Sequence, residues 1–353
     1  ADAAVDQLRV PAGWEPLWLV ASHAPDAAGE GVVVLYRPVA ARWSEVARLR
    51  LDQWRGARQV DVTPDRGWIQ ACDADEVSRG FRLLAFDGGD LVVRFAVPPT
   101  ASIDARPMRG IFDYDGDGLL DVVVDTSTRL LCEECFVEPS VDIYRWDGAA
   151  LTAARLERLP AGAPSALRAQ VDDAVELARA GLWLDAASEI EEVRLVVRAD
   201  AGLDALAPTV IWDAVLIDFH VTEYRGASGH QGVPALVPLV GGDYDALIDA
   251  VRDTEPEQLF TTGGPLIVGT AAEGMTVELG RLFVERAAAA IAVRDDLAAA
   301  YFVRGLGRFL IDPNDVVTAR ADVRQAEGLR PYDEFFRAAS QFLHAIDAAA
   351  PGQ

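Results

Sequence analysis

The sequence predicts a two-part protein of mixed β and α class, in which an antiparallel β half precedes an α-helical half. Up to about residue 160, short runs of β-branched and aromatic residues alternate with Gly, Pro and Asp, without a sustained helical period. After the Pro- and Gly-bearing stretch 158–164, apolar residues recur at helical spacing. A chain of 353 residues is long enough for two hydrophobic cores. The predicted domains are residues 1–160 and 161–353.

The composition argues against two classes of partner. The formal net charge is -24, and all 32 basic residues are Arg. Nucleic acid and anionic membrane surfaces would repel such a chain at long range, whereas Ca²⁺ and basic proteins would not. No run approaches the ~18 apolar residues needed to span a bilayer, so a soluble chain without a membrane span is expected.

The β half contains three units of similar layout, each about fifty residues long. In each unit a turn with Gly or Asp leads into an apolar strand, at 16–22, 67–72 and 120–127, and a longer hairpin follows. Each unit therefore predicts about four antiparallel strands, the composition of a propeller blade. A ring usually needs about four to eight blades. The alternatives are an open stack, closure by a partner or another copy, or a β-sandwich.

Four aromatic residues recur at regular places in these units, which favours packing between blades over the stacking of a ligand. They are Trp18, Trp68, Phe86 and Trp146.

An unusual concentration of acid lies in DYDGDGLLD, where four aspartates fall just before an apolar run. Carboxylates a few ångströms apart repel one another unless a cation lies among them. The pattern D-x-D-x-D-G-x-x-D lets a tight turn, permitted by Gly118, bring oxygens to one centre, as Ca²⁺ requires. A helical EF-hand would need a Glu at the twelfth position, where Val124 stands. The predicted ligands are Asp113, Asp115, Asp117, Asp121 and the backbone carbonyl of Leu119.

The stretch IFDYDGDGLLDVVV resembles the calcium-binding loop of integrin-type FG-GAP repeats, also called VCBS repeats. The resemblance covers about fifty residues and implies a loop that joins two strands of a β-propeller blade. It implies a structural Ca²⁺ ion on the ligands named above. The corresponding turns of the first two units, VPAGWEPLW and VTPDRGWIQ, lack the aspartates, so a single site is implied. The alternative is a solvated acidic turn that binds no ion.

The second half is expected to be a set of paired helices. Ser165 is predicted to cap a helix whose buried face carries Leu167, Val171, Val175 and Ala178, and a break at Gly181 precedes a second helix. Further helices are predicted near 206–225 and 333–348.

Two stretches of this half resemble tetratricopeptide repeats. The turn Gly181–Ala186 resembles the G-x-Y-x-E-A turn of that family, and residues 300–331 match its packing positions given two extra residues in the turn. The matching residues are Tyr301, Gly305, Ala319, Val323, Ala326 and Pro331. The resemblance implies a short TPR-like solenoid whose concave face binds a protein partner. The alternative is a helical domain that merely packs on the β half.

The predicted state of the three cysteines depends on the compartment. Cys132 and Cys135 form C-E-E-C within strand-like sequence, and in an exported chain they are predicted to form a small hairpin disulfide that leaves Cys72 buried and free. A redox role would need this motif at a helix start, and a zinc site would need two further ligands. The start ADAAVDQL fits cleavage after small residues, so a secreted, periplasmic or cell-surface location is expected.

No catalytic constellation stands out. His220 and Glu223 share a predicted helix with Asp213, a spacing that a second metal site could use, although such sites need the motif twice. The segment TTGGPLIVG lacks the G-K-[ST] ending of phosphate loops and is expected to form a loop leading into a helix. We therefore expect a non-enzymatic interaction or scaffold protein. The alternatives are a structural subunit of a homo-oligomer or surface assembly, and an envelope hydrolase with an interdomain site.

Overall fold

The computed structural model of this chain describes residues 3–23, 31–51, 54–63, 66–73, 81–97, 110–116, 121–132, 135–146, 150–227, 233 and 235–349. The chain divides into two compact units. The first comprises residues 1–127 and 141–154, and the second comprises residues 128–140 and 155–353.

Fourteen strands are found in the part of the chain that the structure describes. In chain order they are β1 (Ala3–Leu8), β2 (Leu17–His23), β3 (Gly31–Val39), β4 (Arg42–Leu51), β5 (Trp54–Thr63), β6 (Arg66–Asp73), β7 (Phe81–Phe86), β8 (Leu91–Val97), β9 (Gly110–Phe112), β10 (Asp121–Asp125), β11 (Thr128–Leu130), β12 (Phe136–Glu138), β13 (Val141–Trp146) and β14 (Leu151–Ala153).

Three four-stranded antiparallel sheets make up the first unit. The first sheet runs β1-β2-β3-β4, the second runs β5-β6-β7-β8, and the third runs β14-β13-β10-β9. The class of mixed antiparallel β and α is thereby confirmed. The described sheets are small and do not close into a ring.

The central strands of the second sheet, β6 and β7, are buried on both faces, and their side chains alternate between two cores. Ile69 and Leu84 pack with Leu19 and Leu35 of the first sheet. Their neighbours, which point the opposite way because side chains alternate along a strand, pack with the third sheet. This second core contains Trp68, Leu83, Ala85, Val122, Val124 and Trp146. The apolar runs that predicted β6 and β7 therefore reflect burial on both faces.

The aromatic residues behave as predicted with one exception. Trp68, Phe86 and Trp146 are buried, and the rings of Trp68 and Trp146 meet edge to face at 5.1 Å. Trp18 is only half-buried and lies edge to face with the exposed ring of Trp43. The prediction that Trp18 packs between blades is therefore wrong, because its side chain is on the outward face of the first sheet.

Ten α-helices are found in the described part of the second unit, together with one 3-10 helix at Ala201–Leu206. They are α1 (Ser165–Arg179), α2 (Trp183–Ala199), α3 (Ala207–Ala227), α4 (Leu236–Gly241), α5 (Tyr244–Val251), α6 (Pro256–Leu259), α7 (Thr276–Val293), α8 (Ala298–Ile311), α9 (Val316–Leu329) and α10 (Glu334–Ala349).

The first helix pair forms as predicted, apart from its cap. Leu167, Val171, Val175 and Ala178 are all buried on one face of α1. Ser165 is the first helical residue, not the cap, and the N-cap position is taken by Pro164 without a side-chain hydrogen bond. Asp243 and Asp315 do cap α5 and α9, by accepting the N–H groups of Ala246 and Thr318.

One helical stretch of the described residues, 201–226, is long and apolar enough to cross a membrane by length and composition. Core helices of soluble proteins pass the same test. The expectation that no segment is long and apolar enough to span a bilayer is therefore corrected for residues 201–226.

Candidate metal centre

The acidic loop joins two neighbouring strands of the third sheet. Asp113 follows β9, and Asp121 begins β10, where it pairs with Phe112 across the two strands. The antiparallel turn therefore brings the two ends of the predicted ligand series together. Of the predicted ligands, Asp117 and Leu119 lie outside the described residues, as does Gly118.

Hydrogen bonds from backbone N–H groups to aspartate carboxylates hold the first turn of this loop. The N–H of Tyr114 donates to Oδ2 of Asp121 over 2.9 Å, and the N–H of Gly116 donates to Oδ1 of Asp113 over 2.8 Å. Gly116 has a φ of 77°, a left-handed conformation that glycine adopts without strain. Gly116, for which the sequence pattern predicts no role, therefore permits this first turn.

Three of the predicted ligands converge. Carboxylate oxygens of Asp113, Asp115 and Asp121 all lie within 4.8 Å of one another. Two oxygens bound to one Ca²⁺ at about 2.3 to 2.6 Å can be at most ~5 Å apart, so this spacing fits a shared ion. Among the described residues, this is the one cluster of three or more potential metal-ligating side chains. The donor set is all oxygen, which suits Ca²⁺ better than softer metals.

Burial distinguishes Asp121 from a solvated acidic residue. It is 2% exposed, whereas Asp113 is exposed and Asp115 is half-buried. A buried carboxylate beside two others is costly unless positive charge or hydrogen bonds compensate it. The Tyr114 N–H supplies part of that compensation, and a divalent ion bound by the three carboxylates would add to it.

The equivalent loop of the first sheet has no aspartate series, and its one acid, Glu15, forms an exposed ion pair with Arg37. Between β1 and β2, Trp14 packs edge to face on Phe86 at 5.6 Å. Gln59 accepts the N–H of Arg9 over 2.8 Å and donates to its carbonyl over 2.6 Å. Aromatic packing and amide hydrogen bonds thus hold this loop in place, whereas an ion is predicted to hold the corresponding loop of the third sheet.

The C-E-E-C motif lies in a small hairpin of the second unit. Cys132 and Cys135 are joined by a disulfide between β11 and β12, and both sulfurs lie 3.3 Å from the carbonyl oxygen of Ala271. Glu138 at the end of the hairpin forms an ion pair with Arg286 of α7 at 2.8 Å. Cys72 lies in β6, but its side chain is outside the described part.

The second metal site considered at His220 and Asp213 is not assembled among the described residues. The ring of His220 stacks on Trp183 at 3.9 Å, and burial lowers the pKa of His220. Asp213 is fully buried, and its Oδ1 accepts the N–H of Glu157 over 2.9 Å. Burial raises the pKa of Asp213 to about 7. Although Asp213 is a perturbed acid, its carboxyl group presents no surface to a substrate.

The helices matched to tetratricopeptide repeats pack at close range. A Cβ on Gly305 would lie 2.8 Å from the carbonyl oxygen of Ala319, so the backbones of α8 and α9 meet where the sequence pattern indicated. Ala319, Val323 and Ala326 are fully buried. The carboxylate of Asp322, 4% exposed, binds Arg304 and Arg308 of α8.

The helix α8 has little free surface. Its side chains are buried or half-buried throughout, and the ring of Phe260, just after α6, contacts those of Phe302 and Phe309 at 5.9 and 5.5 Å. Ion pairs from Arg252 to Asp333 and from Arg330 to Asp245 hold α5 close to the turn between α9 and α10. The chain itself therefore covers the face of α8 that could have met a partner.

Comparison with protein-family models, with curated proteins and with solved structures found no match to this chain.

Proposed function

We propose that the chain is a non-enzymatic interaction protein in which a structural Ca²⁺ ion stabilises an FG-GAP-like β unit and a TPR-like helical unit binds a protein partner. The observation that carries the proposal is the convergence of Asp113, Asp115 and the buried Asp121 within 4.8 Å. The ion would be bound by these residues with Asp117 and the Leu119 carbonyl, and it would hold β9 against β10. No chemistry is assigned to it.

The proposed location is outside the cytoplasm. The disulfide between Cys132 and Cys135 supports it, because disulfides persist in oxidising compartments. Extracellular fluids also supply Ca²⁺ at the concentrations that weak structural sites need, about 10⁻⁴ to 10⁻³ M.

The proposed partner is a basic protein, since the chain has 56 acidic and 32 basic residues. Because α8 is covered, the partner would contact other helices. The exposed neighbours Leu195 and Val196 on α2 offer apolar surface for such a contact.

Calcium binding tests the proposal directly. Isothermal titration of chelator-stripped protein with CaCl₂ is expected to show one site, and Ca²⁺ at about 100 times Kd is expected to stabilise the fold by about 2.7 kcal/mol. Titration with MgCl₂ serves as the control, because Mg²⁺ demands a smaller octahedral site. No calcium heat, together with an unchanged melting temperature, would refute the structural-ion proposal.

A structural subunit of a surface assembly is the second candidate function. One specific observation favours it, namely the aromatic face that the first sheet leaves exposed, with Trp43 at 59% exposure.

A further inference from the structure

The outward face of the first sheet is apolar and aromatic. Val5, Trp18, Val20, Tyr36 and Trp43 line an open cleft of about 470 Å³ on this face. Cross-strand pairing places Val5 beside Val20 and Trp18 beside Tyr36, so these side chains form one continuous surface. Val5 and Trp43 are 56% and 59% exposed.

This face has the residue types that the unit buries elsewhere between sheets. The core between the second and third sheets is centred on the edge-to-face pair Trp68 and Trp146, at 5.1 Å and 81°. The outward face of the first sheet carries the edge-to-face pair Trp18 and Trp43, at 5.6 Å and 80°. The first pair joins two packed sheets, whereas both rings of the second pair belong to the first sheet and line its outward face.

The charge of the face also differs from that of the chain. On its four strands, the side chains on the outward side include Glu45, Arg48 and Arg50, and Glu45 forms an ion pair with Arg48 at 2.6 Å. The chain as a whole carries -24. A surface without excess carboxylate removes the repulsion that would otherwise keep two copies apart.

The size of the face suits a dimer interface. Four strands about 4.8 Å apart, each rising about 3.3 Å per residue over six to ten residues, span roughly 19 Å by 20 to 30 Å. The side chains of such a face can bury on the order of 500 to 800 Å² per partner, close to the ~800 Å² per partner of a standard interface.

We propose that the outward face of the first sheet, centred on Trp18, Tyr36 and Trp43, is a homodimer interface on which the same face of a second copy packs, continuing the stack of sheets. The contact is isologous, so each Trp43 lies near the two-fold axis or contacts the partner's cleft. Two sheets packed face to face are ~10 Å apart, which excludes water from both clefts. This inference does not depend on the calcium loop or on the partner proposed for the helical unit.

Sedimentation velocity of the full chain tests this inference over about 1 to 100 μM, the range in which modest interfaces dissociate. The monomer mass is 38.0 kDa, and a concentration-dependent species of twice that mass is expected. Trp43→Glu places a charge in both copies of the apolar contact and is expected to weaken dimerisation by about 30-fold or more. Val317→Glu, at a similarly exposed apolar residue on α9 of the second unit, is the matched control and is expected to leave the dimer unchanged.

A photo-crosslinking amino acid at position 43 identifies the contact independently of mass. Crosslinks to strands β1 to β4 of the second copy are expected. A monomer throughout the concentration range, a dimer that Trp43→Glu leaves intact, or crosslinks confined to other elements would each overturn the proposal. Circular dichroism of the variants verifies that folding is retained, and Val5→Glu repeats the test on a different strand.

Discussion

The backbones of Gly280 on α7 and Gly307 on α8 are in contact. A Cβ added to either residue would lie 2.7 Å from the carbonyl oxygen of the other. Real Cβ atoms essentially never come this close to another atom. The pair therefore sets the distance between the two helices, and no side chain larger than hydrogen fits at either position without moving them apart.

Gly307→Ala is expected to destabilise the helical unit. The added methyl group would also meet Cβ of Phe283 at 2.8 Å, so overpacking of about 1 to 3 kcal/mol outweighs the gain of up to ~1 kcal/mol in helix propensity. Gly328→Ala on α9 is the matched control, since nothing lies within 4 Å of its Cβ position. That control is expected to stabilise the unit by about 0.5 to 1 kcal/mol. Denaturant unfolding followed by far-ultraviolet circular dichroism measures both, and equal effects would contradict the proposed contact.

Asp115→Asn is expected to weaken calcium binding on the order of tenfold, because one of the converging charges is lost while the side-chain shape is kept. Asp6→Asn on β1 is the matched control, as Asp6 is an exposed acid of the same unit that lies on a different sheet. Calcium titration calorimetry of both variants gives the two dissociation constants. If both variants bound Ca²⁺ equally well, the loop would not be the site.

Asp213 is expected to make stability fall as the pH rises from about 4 to 7. In the unfolded chain the pKa of Asp213 is near the ordinary 3.8, whereas burial raises it to about 7 in the folded chain. The hydrogen bond from the Glu157 N–H lowers this pKa, and the negative charge of Glu157 raises it. The folded state therefore holds a proton that the unfolded state releases, and the stabilisation present below pH 4 is lost on passing pH 7. The difference corresponds to about 4 kcal/mol.

Asp213→Asn isolates this contribution, because the amide can still accept the Glu157 N–H but carries no charge at any pH. The free energy of unfolding of the variant relative to the original chain should rise between pH 4 and 7 by that amount. A constant difference across the range would show that Asp213 titrates normally. Asp173→Asn, at an exposed acid of α1, is the control for the loss of one surface carboxylate.

Asp322→Asn is expected to cost about 2 to 4 kcal/mol, since it leaves Arg304 and Arg308 without their shared carboxylate in a mostly buried site. Asp249→Asn removes an exposed partner of Arg252 at i,i+3 and is expected to cost less than about 0.5 kcal/mol. Urea unfolding of the two variants compares a buried with a surface ion pair. Similar losses would mean that burial does not determine the strength of the Asp322 cluster.

Local sequence predicted most of the helices and strands because their signals lie within a few residues. The apolar strands β6 and β10 follow from short runs bounded by turn residues, and the helix pair around Gly181 follows from helical spacing. Ser165 shows the limit of such signals. A residue type favoured at caps lies one position inside the helix, because Pro164 takes the N-cap position.

The sequence by itself determined the mixed class, the acidic loop, and the glycine and alanine positions at which α8 and α9 meet, because each depends on spacing along the chain. Only the tertiary structure placed the C-E-E-C hairpin in the second unit, buried Asp213 against the Glu157 N–H, and covered α8 with Phe260. It also showed Trp18 on an exposed face rather than in a core. The physical reason is that the burial of a residue depends on which distant segment of the chain packs over it. The residues next to it in the sequence do not encode that contact.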